Sequence, residues 1–560
     1  MLHLKEILNN KLSEKQKTFL IITATAFIFL LPQLLTQSMI IGSDAIFHFN
    51  RFFETAEQIK HWNFEYFISL YGFQQSGRIV NAFYSPYLAY LHGLLVLISK
   101  NWFIYQMLSN FILFLISGLS MSQFLKAGHV TQLKSCYGAI FYMSTFSVLY
   151  WVTRQGFSSW GAAIMPLCLS IIFPVLQGGK FPKFKLGILT ALMFQVHMLS
   201  ALILVMIYLP VFAYGLFRSS QKLSFLRQIL REILLFILLT LNIWAAFFTA
   251  FQQNNLIAPF VNKEMSSNTI NQNSYYWLIN PISLLIVLFL VVAYFLTKWT
   301  IMDNMNRFLF SILTFFLILS TSVIPWNHLI DKQVPLVGLV QFPFRFFVPV
   351  TILAIYLFFK LSNVKKANLL FVSAGIIQVI LLMFTSLGAW RKTENFLTSG
   401  TSTILATENA KDIKSSFFVK DKAKALELVQ KPTPDYLPSY TGRNKNPYQL
   451  YANEIIHPND NFNKTVKKNR IIVKEKLQEK NSRTIEFPVT IYTNSKLTTK
   501  GKPISKKKYK LSKIGSPIIA RTEIRNNQIE LEFDNSKQNY LAAAVMLFWP
   551  IAFILQRKTA

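Results

Sequence analysis

Phe83-Tyr84-Ser85-Pro86-Tyr87-Leu88-Ala89-Tyr90-Leu91-His92-Gly93-Leu94-Leu95-Val96-Leu97-Ile98 is the stretch on which the topology of the chain turns. Around it lie candidate spans at 19–37, 102–125, 135–153, 157–177, 186–198, 199–217, 231–251, 278–297, 307–324, 345–361, 367–388 and 539–555. If 83–98 also crosses the bilayer, the basic loops after it fall on the wrong side. If it stays on or in the outer leaflet and the N-terminus is inside, Lys126 and Lys134, Lys180, Lys183 and Lys185, Arg218, Lys222 and Arg227, Lys298, and Lys360, Lys365 and Lys366 all face the cytoplasm. The tail Gln556-Arg557-Lys558 then lands inside as well. Every short loop obeys the positive-inside bias only on the second reading. Residues 38–101 are therefore expected to form one large outer loop of surface helices and a partly inserted apolar hairpin.

The composition agrees with a membrane protein. Of 560 residues, 52% are hydrophobic and 15% aromatic, and apolar runs of about 20 residues recur along the chain. The expected fold class is an all-α polytopic bundle of about 12 transmembrane helices, with both termini cytoplasmic. The segment 186–217 is too long for one upright helix and just long enough for two short ones meeting near His197. The net charge of +32 comes from 57 basic and 25 acidic residues. Much of the basic excess sits in short loops, which argues against a nucleic-acid partner and for membrane lipids. Cys136 and Cys168 both fall in apolar segments and read as buried small hydrophobes. The run from Phe19 follows Lys5, Lys11, Lys15 and Lys17 without a small-residue cleavage site, so it reads as a retained span.

Acidic residues are scarce, which singles out Gly42-Ser43-Asp44-Ala45-Ile46-Phe47-His48-Phe49-Asn50-Arg51 just past the first span. On a helical wheel over 45–60, Asp44, His48, Arg51, Thr55 and Gln58 share one face. Ile46, Phe49, Phe52, Phe53 and Ala56 share the other. This is the pattern of an interfacial helix, with its aromatic side in lipid or against the bundle. Ser43 or Asp44 can serve simply as an N-cap, leaving His48 and Arg51 solvated. Alternatively Asp44 is a general base or metal-associated carboxylate, with Arg51 binding an anionic leaving group and His48 donating or orienting. A divalent metal at Asp44 is compatible with this; no other cofactor is implied.

The second large outer piece, 389–538, is rich in Lys, Asn, Ser and Thr and leads into the last span and tail, 539–560. Strand-like runs occur at 470–473, 484–487, 489–492, 517–520 and 529–533, with Asn526-Asn527 suited to a turn before the last. A small extracytoplasmic β-rich domain on a partly flexible lead-in is expected, following a transmembrane domain over 1–388.

Several motifs together resemble a known family. Gly42-Ser43-Asp44 with Phe47-His48 and Arg51 is followed by Asn81-Ala82-Phe83-Tyr84-Ser85-Pro86-Tyr87. Further on come Val152-Thr153-Arg154-Gln155-Gly156, Gln195-Val196-His197 and Gln341-Phe342-Pro343-Phe344-Arg345. This set resembles bacterial GT-C-type membrane glycosyltransferases, nearest to the membrane proteins called "6-pyruvoyl-tetrahydropterin synthase related" and to YfhO-type proteins. The resemblance implies sugar transfer from a polyprenyl-phosphate donor to a surface glycan, lipid or protein, outside the bacterial cytoplasmic membrane. It implies Asp44 as the catalytic acidic residue and Arg154 and Arg345 as phosphate binders, with His48, Arg51, Asn81, Tyr84 and His197 as substrate-binding candidates. The chain departs from the pattern at Phe157-Ser158-Ser159-Trp160, where relatives tend to carry a Glu. The second carboxylate expected there is missing.

Plainer roles exist for the same residues. Arg154 and Arg345 can snorkel toward headgroups, and His197 can be a neutral hydrogen-bonding group between helices. Tyr84, Tyr87 and Tyr90 can line a lipid groove or simply pack. Trp151, Trp160, Trp277 and Trp326 fit an interfacial aromatic belt. Lys506-Lys507-Lys508 fits a solvated turn. No Walker loop, zinc spacing or dinucleotide fingerprint occurs. A non-catalytic flippase or assembly factor for lipid-linked precursors is the alternative. Such a transporter would gather its polar groups near mid-membrane in paired halves, whereas here they gather at one surface.

Overall fold

The structure is a computed structural model that describes residues 12–84, 86–178, 181–362, 365–392, 403–440, 446–476, 482–534 and 536–559. Lys5, Lys11, Ser85 and Lys180 lie outside the described residues. Nine described helices are long and apolar enough to cross a membrane: Glu14–Thr36, Trp102–Ala127, Ser158–Gly178, Met198–Arg218, Lys222–Gln253, Ile282–Ile301, Pro343–Leu361, Asn368–Arg391 and Lys537–Lys558. With a small β region near the C-terminus, this is the architecture of a polytopic helical membrane protein.

The other three expected spans take different forms. Segments 186–198 and 307–324 become the shorter helices Lys185–Val196 and Asn304–Leu319. Segment 135–153 is split into Gln132–Met143 and Phe146–Arg154. The hydroxyls of Ser144 and Thr145 explain the break, because they donate to the carbonyls of Phe141 and Tyr142, both at 2.7 Å. Side chains thus satisfy carbonyls that the next turn of helix would otherwise have taken. His197 separates Lys185–Val196 from Met198–Arg218 and caps the latter.

The helix within 83–98 is Pro86–Ile98, 13 residues or about 20 Å long. That is short of a hydrocarbon core of about 30 Å. It lies along Ala45–Lys60 instead of standing alone: Thr55 Oγ1 donates to the Ala89 carbonyl at 2.8 Å. A Cβ on Gly93 would sit 2.3 Å from Thr55 Oγ1 and 2.9 Å from the Ala56 nitrogen, so only glycine permits this approach.

Helix ends sort into two groups. Gln132 donates to the Glu14 carbonyl at 3.2 Å, and Lys360 Nζ donates to the Gly128 and His129 carbonyls at 2.9 and 3.2 Å. These basic loops therefore share one end of the bundle with the described start of the chain. At the opposite end, the Gly42 N–H donates to Gln155 Oε1 at 2.6 Å. A Cβ on Gly42 would lie 2.3 Å from the Arg154 Cα, so the two backbones touch.

The β region docks on that second end. An antiparallel five-stranded sheet takes the order Phe462–Lys467, Arg470–Glu475, Gln528–Phe533, Ser495–Thr499, Lys502–Pro503. Beside it lies a three-stranded sheet of Thr484–Glu486, Pro517–Ala520 and Tyr509–Leu511. Asn526 and Asn527 both have positive φ, as a tight turn between strands requires. The run 489–492 is not a strand; its Val489, Ile491 and Tyr492 are buried as irregular chain. Ile471, Val473, Ile529 and Leu531 share a core with Tyr66, Phe67, Ile79 and Phe83 of the 63–84 loop. The described residues of 403–440 do not stand off as a lead-in. Ile413, Phe417 and Leu426 belong to the main helical core, and the Trp102 N–H groups donate to the carbonyls of Phe417 and Lys422 at 3.1 and 2.9 Å.

The four tryptophans expected at an aromatic belt are buried. Trp151 Nε1 donates to Ser109 Oγ at 2.9 Å, and Trp277 stacks on Phe344 at 4.7 Å. Short and broken helices leave wide gaps at this end of the bundle, and large rings fill them.

Candidate functional site

Ala45–Lys60 begins at Asp44, whose backbone is in the cap position but whose side chain makes no capping hydrogen bond. The capping alternative therefore leaves the Asp44 carboxylate unspent. Lys431 Nζ lies 3.6 Å from Asp44 Oδ1 and also donates to the Ser43 carbonyl. The Asp44 side chain keeps 47% of its surface accessible, so a substrate can reach it. Partial burial nevertheless raises its pKa, against the opposing pull of Lys431 and then Arg345.

The rest of the expected polar face turns inward. His48, Arg51, Thr55 and Gln58 are all buried: the 63–84 loop and Pro86–Ile98 cover Arg51, Thr55 and Gln58, and the Trp151 and Phe157 rings cover His48. The aromatic face packs as well: Phe49 stacks on Trp102 at 4.5 Å and Phe52 on His92 at 4.2 Å. Arg51, fully buried, donates through Nε to Asn81 Oδ1 at 3.1 Å, through Nη1 to His48 Nδ1 at 3.1 Å, and through Nη2 to the Tyr84 carbonyl. Its guanidinium lies over the Phe157 ring at 4.8 Å and the Tyr84 ring at 5.1 Å. Burial and the Arg51 charge hold the His48 pKa well below its usual value. The imidazole is then neutral, which lets Nδ1 accept. The structure thus brings His48, Arg51, Asn81 and Tyr84 into one network. No carboxylate pairs with Arg51 among the described residues.

Arg345 lies on the other side of Asp44, within electrostatic reach of it. It donates to the Val340 carbonyl and Gln341 Oε1 at 2.9 and 3.0 Å, and its Nε is buried without a partner. Arg154 touches Gly42 through backbone only. Its guanidinium sits over the Tyr276 ring at 4.7 Å, beside a cavity of about 450 Å³ lined also by Ile41, Phe146, Leu382 and Trp390. His197 is engaged in its own helix: its Nδ1 accepts from the Ser200 N–H at 3.1 Å, and Ser200 Oγ is 2.8 Å away. That is an N-cap role, which fits the plainer reading of this residue.

Three residues that sequence reasoning passed over complete the site. Asp435 is only 8% exposed and lies near Lys431, Tyr84 and Asp44. Burial pushes its carboxyl up to about 6, with Arg78 opposing and Asp44 adding to the rise. Arg78, fully buried, donates to the Thr433 carbonyl and to the Asp435 carbonyl at 2.7 Å. Glu54 accepts the backbone N–H groups of Leu70, Tyr71 and Gly72 at 2.8, 2.6 and 2.7 Å, fixing the loop that shapes the site wall. The local run Lys431-Pro432-Thr433-Pro434-Asp435 sets an acid among stiffening prolines but gives no sign that it meets Asp44.

No group of three or more His, Cys, Asp or Glu that could hold a metal ion occurs among the described residues. With Lys431 beside its carboxylate, Asp44 does not form a metal shell. Compared with known proteins, the chain matches no family model, no curated protein and no solved structure.

Proposed function

We propose that this protein is an integral membrane glycosyltransferase of the GT-C type. It would transfer a sugar from a polyprenyl-phosphate donor to a surface glycan, lipid or protein on the outer face of a bacterial cytoplasmic membrane, with both termini cytoplasmic. The observation that carries this reading is the uncapped, accessible Asp44 carboxylate set among cations that lack carboxylate partners. Arg51 is bonded to neutral groups, Arg345 keeps an unpartnered Nε, and Arg154 makes no hydrogen bond to a described residue. A buried or half-buried guanidinium without an acid, as at Arg51 and Arg345, is poised for an anion such as a phosphate, and Arg154 offers an exposed one.

In the proposed step the acceptor hydroxyl gives its proton to Asp44 as its oxygen bonds to the anomeric carbon. The bond from that carbon to the phosphate oxygen breaks, and polyprenyl phosphate leaves with the electron pair. A carboxyl whose pKa is raised toward the working pH suits the base. Arg345 and Arg154 would bind the leaving phosphate.

The test is a comparison of surface glycans and lipid-linked sugars in deletion, wild-type and Asp44→Asn strains. Asp44→Asn should insert and fold normally, abolish the glycan and leave the lipid-linked sugar unconsumed. Full rescue of the deletion by Asp44→Asn would sink the catalytic assignment and favour a non-catalytic role in moving or assembling lipid-linked precursors.

A further inference from the structure

The stretch 431–436 enters the Asp44 site from the C-terminal region, more than 380 residues away in sequence. It is braced with unusual care. Arg78 holds the carbonyls of Thr433 and Asp435, and Tyr492 donates its hydroxyl to the Tyr436 carbonyl at 3.1 Å. The Tyr436 N–H donates to the Ile257 carbonyl at 2.9 Å. These bonds hold Tyr436 at φ +64°, a left-handed conformation unfavourable for a bulky residue. Such a backbone persists where its surroundings force it, and it gathers at ligand sites. Lys431 latches the near end of the stretch to the 43–44 turn.

All this bracing engages backbone and Lys431 and leaves one side chain over. Asp435 is more than nine-tenths buried and its carboxylate accepts from its own backbone N–H, yet no described side chain donates to it and no ion pair forms within 4.0 Å among the described residues. A buried charge is costly unless something pairs with it. The groups facing it are Arg78, which is spent on carbonyls, Lys431, which is spent on Ser43 and Asp44, the Asp44 carboxylate, and the phenols of Tyr84 and Tyr448. Beside it the Tyr84 and Tyr436 rings lie 5.9 Å apart.

We propose that the 431–436 strap completes the Asp44 site, with the Asp435 carboxylate accepting hydroxyl groups of a sugar and Lys431 latching the strap in place. This rests on the reading of the site as one for a lipid-linked sugar. A sugar ring carries donors around its edge and C–H groups on its faces. A carboxylate that no described side chain donates to, next to two aromatic rings, matches both. It also supplies the second acidic residue that is absent at Phe157-Ser158-Ser159-Trp160.

The experiment uses the full-length protein in membranes of a deletion strain, comparing wild type, Asp44→Asn, Asp435→Asn, Asp435→Glu and Lys431→Ala at matched levels. Polyprenyl-phosphate sugars are quantified by mass spectrometry, and melting temperatures are measured in detergent. Asp435→Asn should accumulate the same lipid-linked species as Asp44→Asn and slow its consumption about tenfold or more, the loss expected for hydrogen bonds to a charged group. Its melting temperature should not fall, because the asparagine oxygen can keep the bond from the backbone N–H of residue 435 and no side-chain donor is lost. Asp435→Glu should recover part of the activity, and Lys431→Ala should lose activity with the strap unlatched. Consumption by wild-type membranes should decline below about pH 6, and the residual activity of Asp435→Asn should keep only the part of that limb set by the Asp44 base. If Asp44→Asn accumulates the species while Asp435→Asn consumes it like wild type at every pH, the strap is only a wall and the inference is overturned. If neither variant accumulates any lipid-linked sugar, the glycosyl-transfer reading fails, and this inference falls with it.

Discussion

At the scale of single residues, two buried carboxylates differ in what they are for, and the difference is visible in their donors. Glu54 is fully engaged by three backbone N–H groups and the Gln58 amide at 2.7 Å, so its charge is structural. Glu54→Gln puts an amide N–H against backbone donors. It should cost about 2 kcal/mol, read as a lower melting temperature in detergent. Asp435 has the opposite character. Its folded pKa of about 6 lies above the roughly 3.9 of an unfolded aspartate. Between those values the folded chain binds more protons than the unfolded one, so stability falls as pH rises from about 4 to about 6. Above that window the ionised carboxylate should cost up to about 3 kcal/mol. Asp435→Asn should therefore raise the melting temperature at pH 7.5 and flatten its dependence between pH 4 and 6. A melting temperature lowered at pH 7.5 would show that the carboxylate has a partner in the folded protein. Asp44 was legible as a candidate from its place just after the first span. Asp435 was not, because nothing local says that residue 435 returns to residue 44.

At the scale of elements, the helix from Ala45 to Lys60 was visible in its amphipathic pattern, but its environment was not. A polar face ordinarily means water. Here Arg51, Thr55 and Gln58 find partners across the 63–98 segment, such as Asn81 Oδ1 for Arg51 and the Ala89 carbonyl for Thr55, while His48 is enclosed by the Trp151 and Phe157 rings. The strap 431–436 is likewise an element made by contacts instead of by propensity. Its prolines rule out helix, and its position depends on the Arg78 fork. Lysine carries its donors on a single nitrogen and cannot reproduce the planar fork of Nη1 and Nη2 that spans the two carbonyls. Arg78→Lys should thus loosen the strap, detected as faster proteolysis within 431–440 in cells whose outer face is exposed to protease, with the helical bundle intact. Cleavage no faster than in wild type would show that Lys431 and Tyr492 suffice to hold it. Strands 470–475 and 528–533 were readable from alternation. Phe462–Lys467 and Ser495–Thr499 escaped notice because lysine and threonine dominate their exposed faces.

At the scale of the whole molecule, helix ends divide between a basic end, where 14, 132 and 360 meet, and a second end that carries Asp44 and the β region. The orientation proposed for the membrane follows by placing the basic end in the cytoplasm. It is checked with introduced cysteines, since Cys136 and Cys168 are buried and should stay silent. A membrane-impermeant maleimide should label Trp62→Cys in intact cells and Lys222→Cys only after permeabilisation, both sites being exposed. The reverse pattern would place the site in the cytoplasm.

The sequence by itself determined the membrane class, the position of most long helices, the helix after Asp44 and the β character of the C-terminal region. Each of these follows from local hydropathy, periodicity or turn chemistry, which neighbouring residues carry among themselves. Only the tertiary structure decided which charges meet. It split one expected span at Ser144-Thr145, closed the polar face of Ala45–Lys60 over Arg51, and brought Lys431 and Asp435 to Asp44. Those outcomes depend on pairings between residues hundreds of positions apart, and they are selected by burial and hydrogen-bond satisfaction across the whole core, which no local pattern encodes.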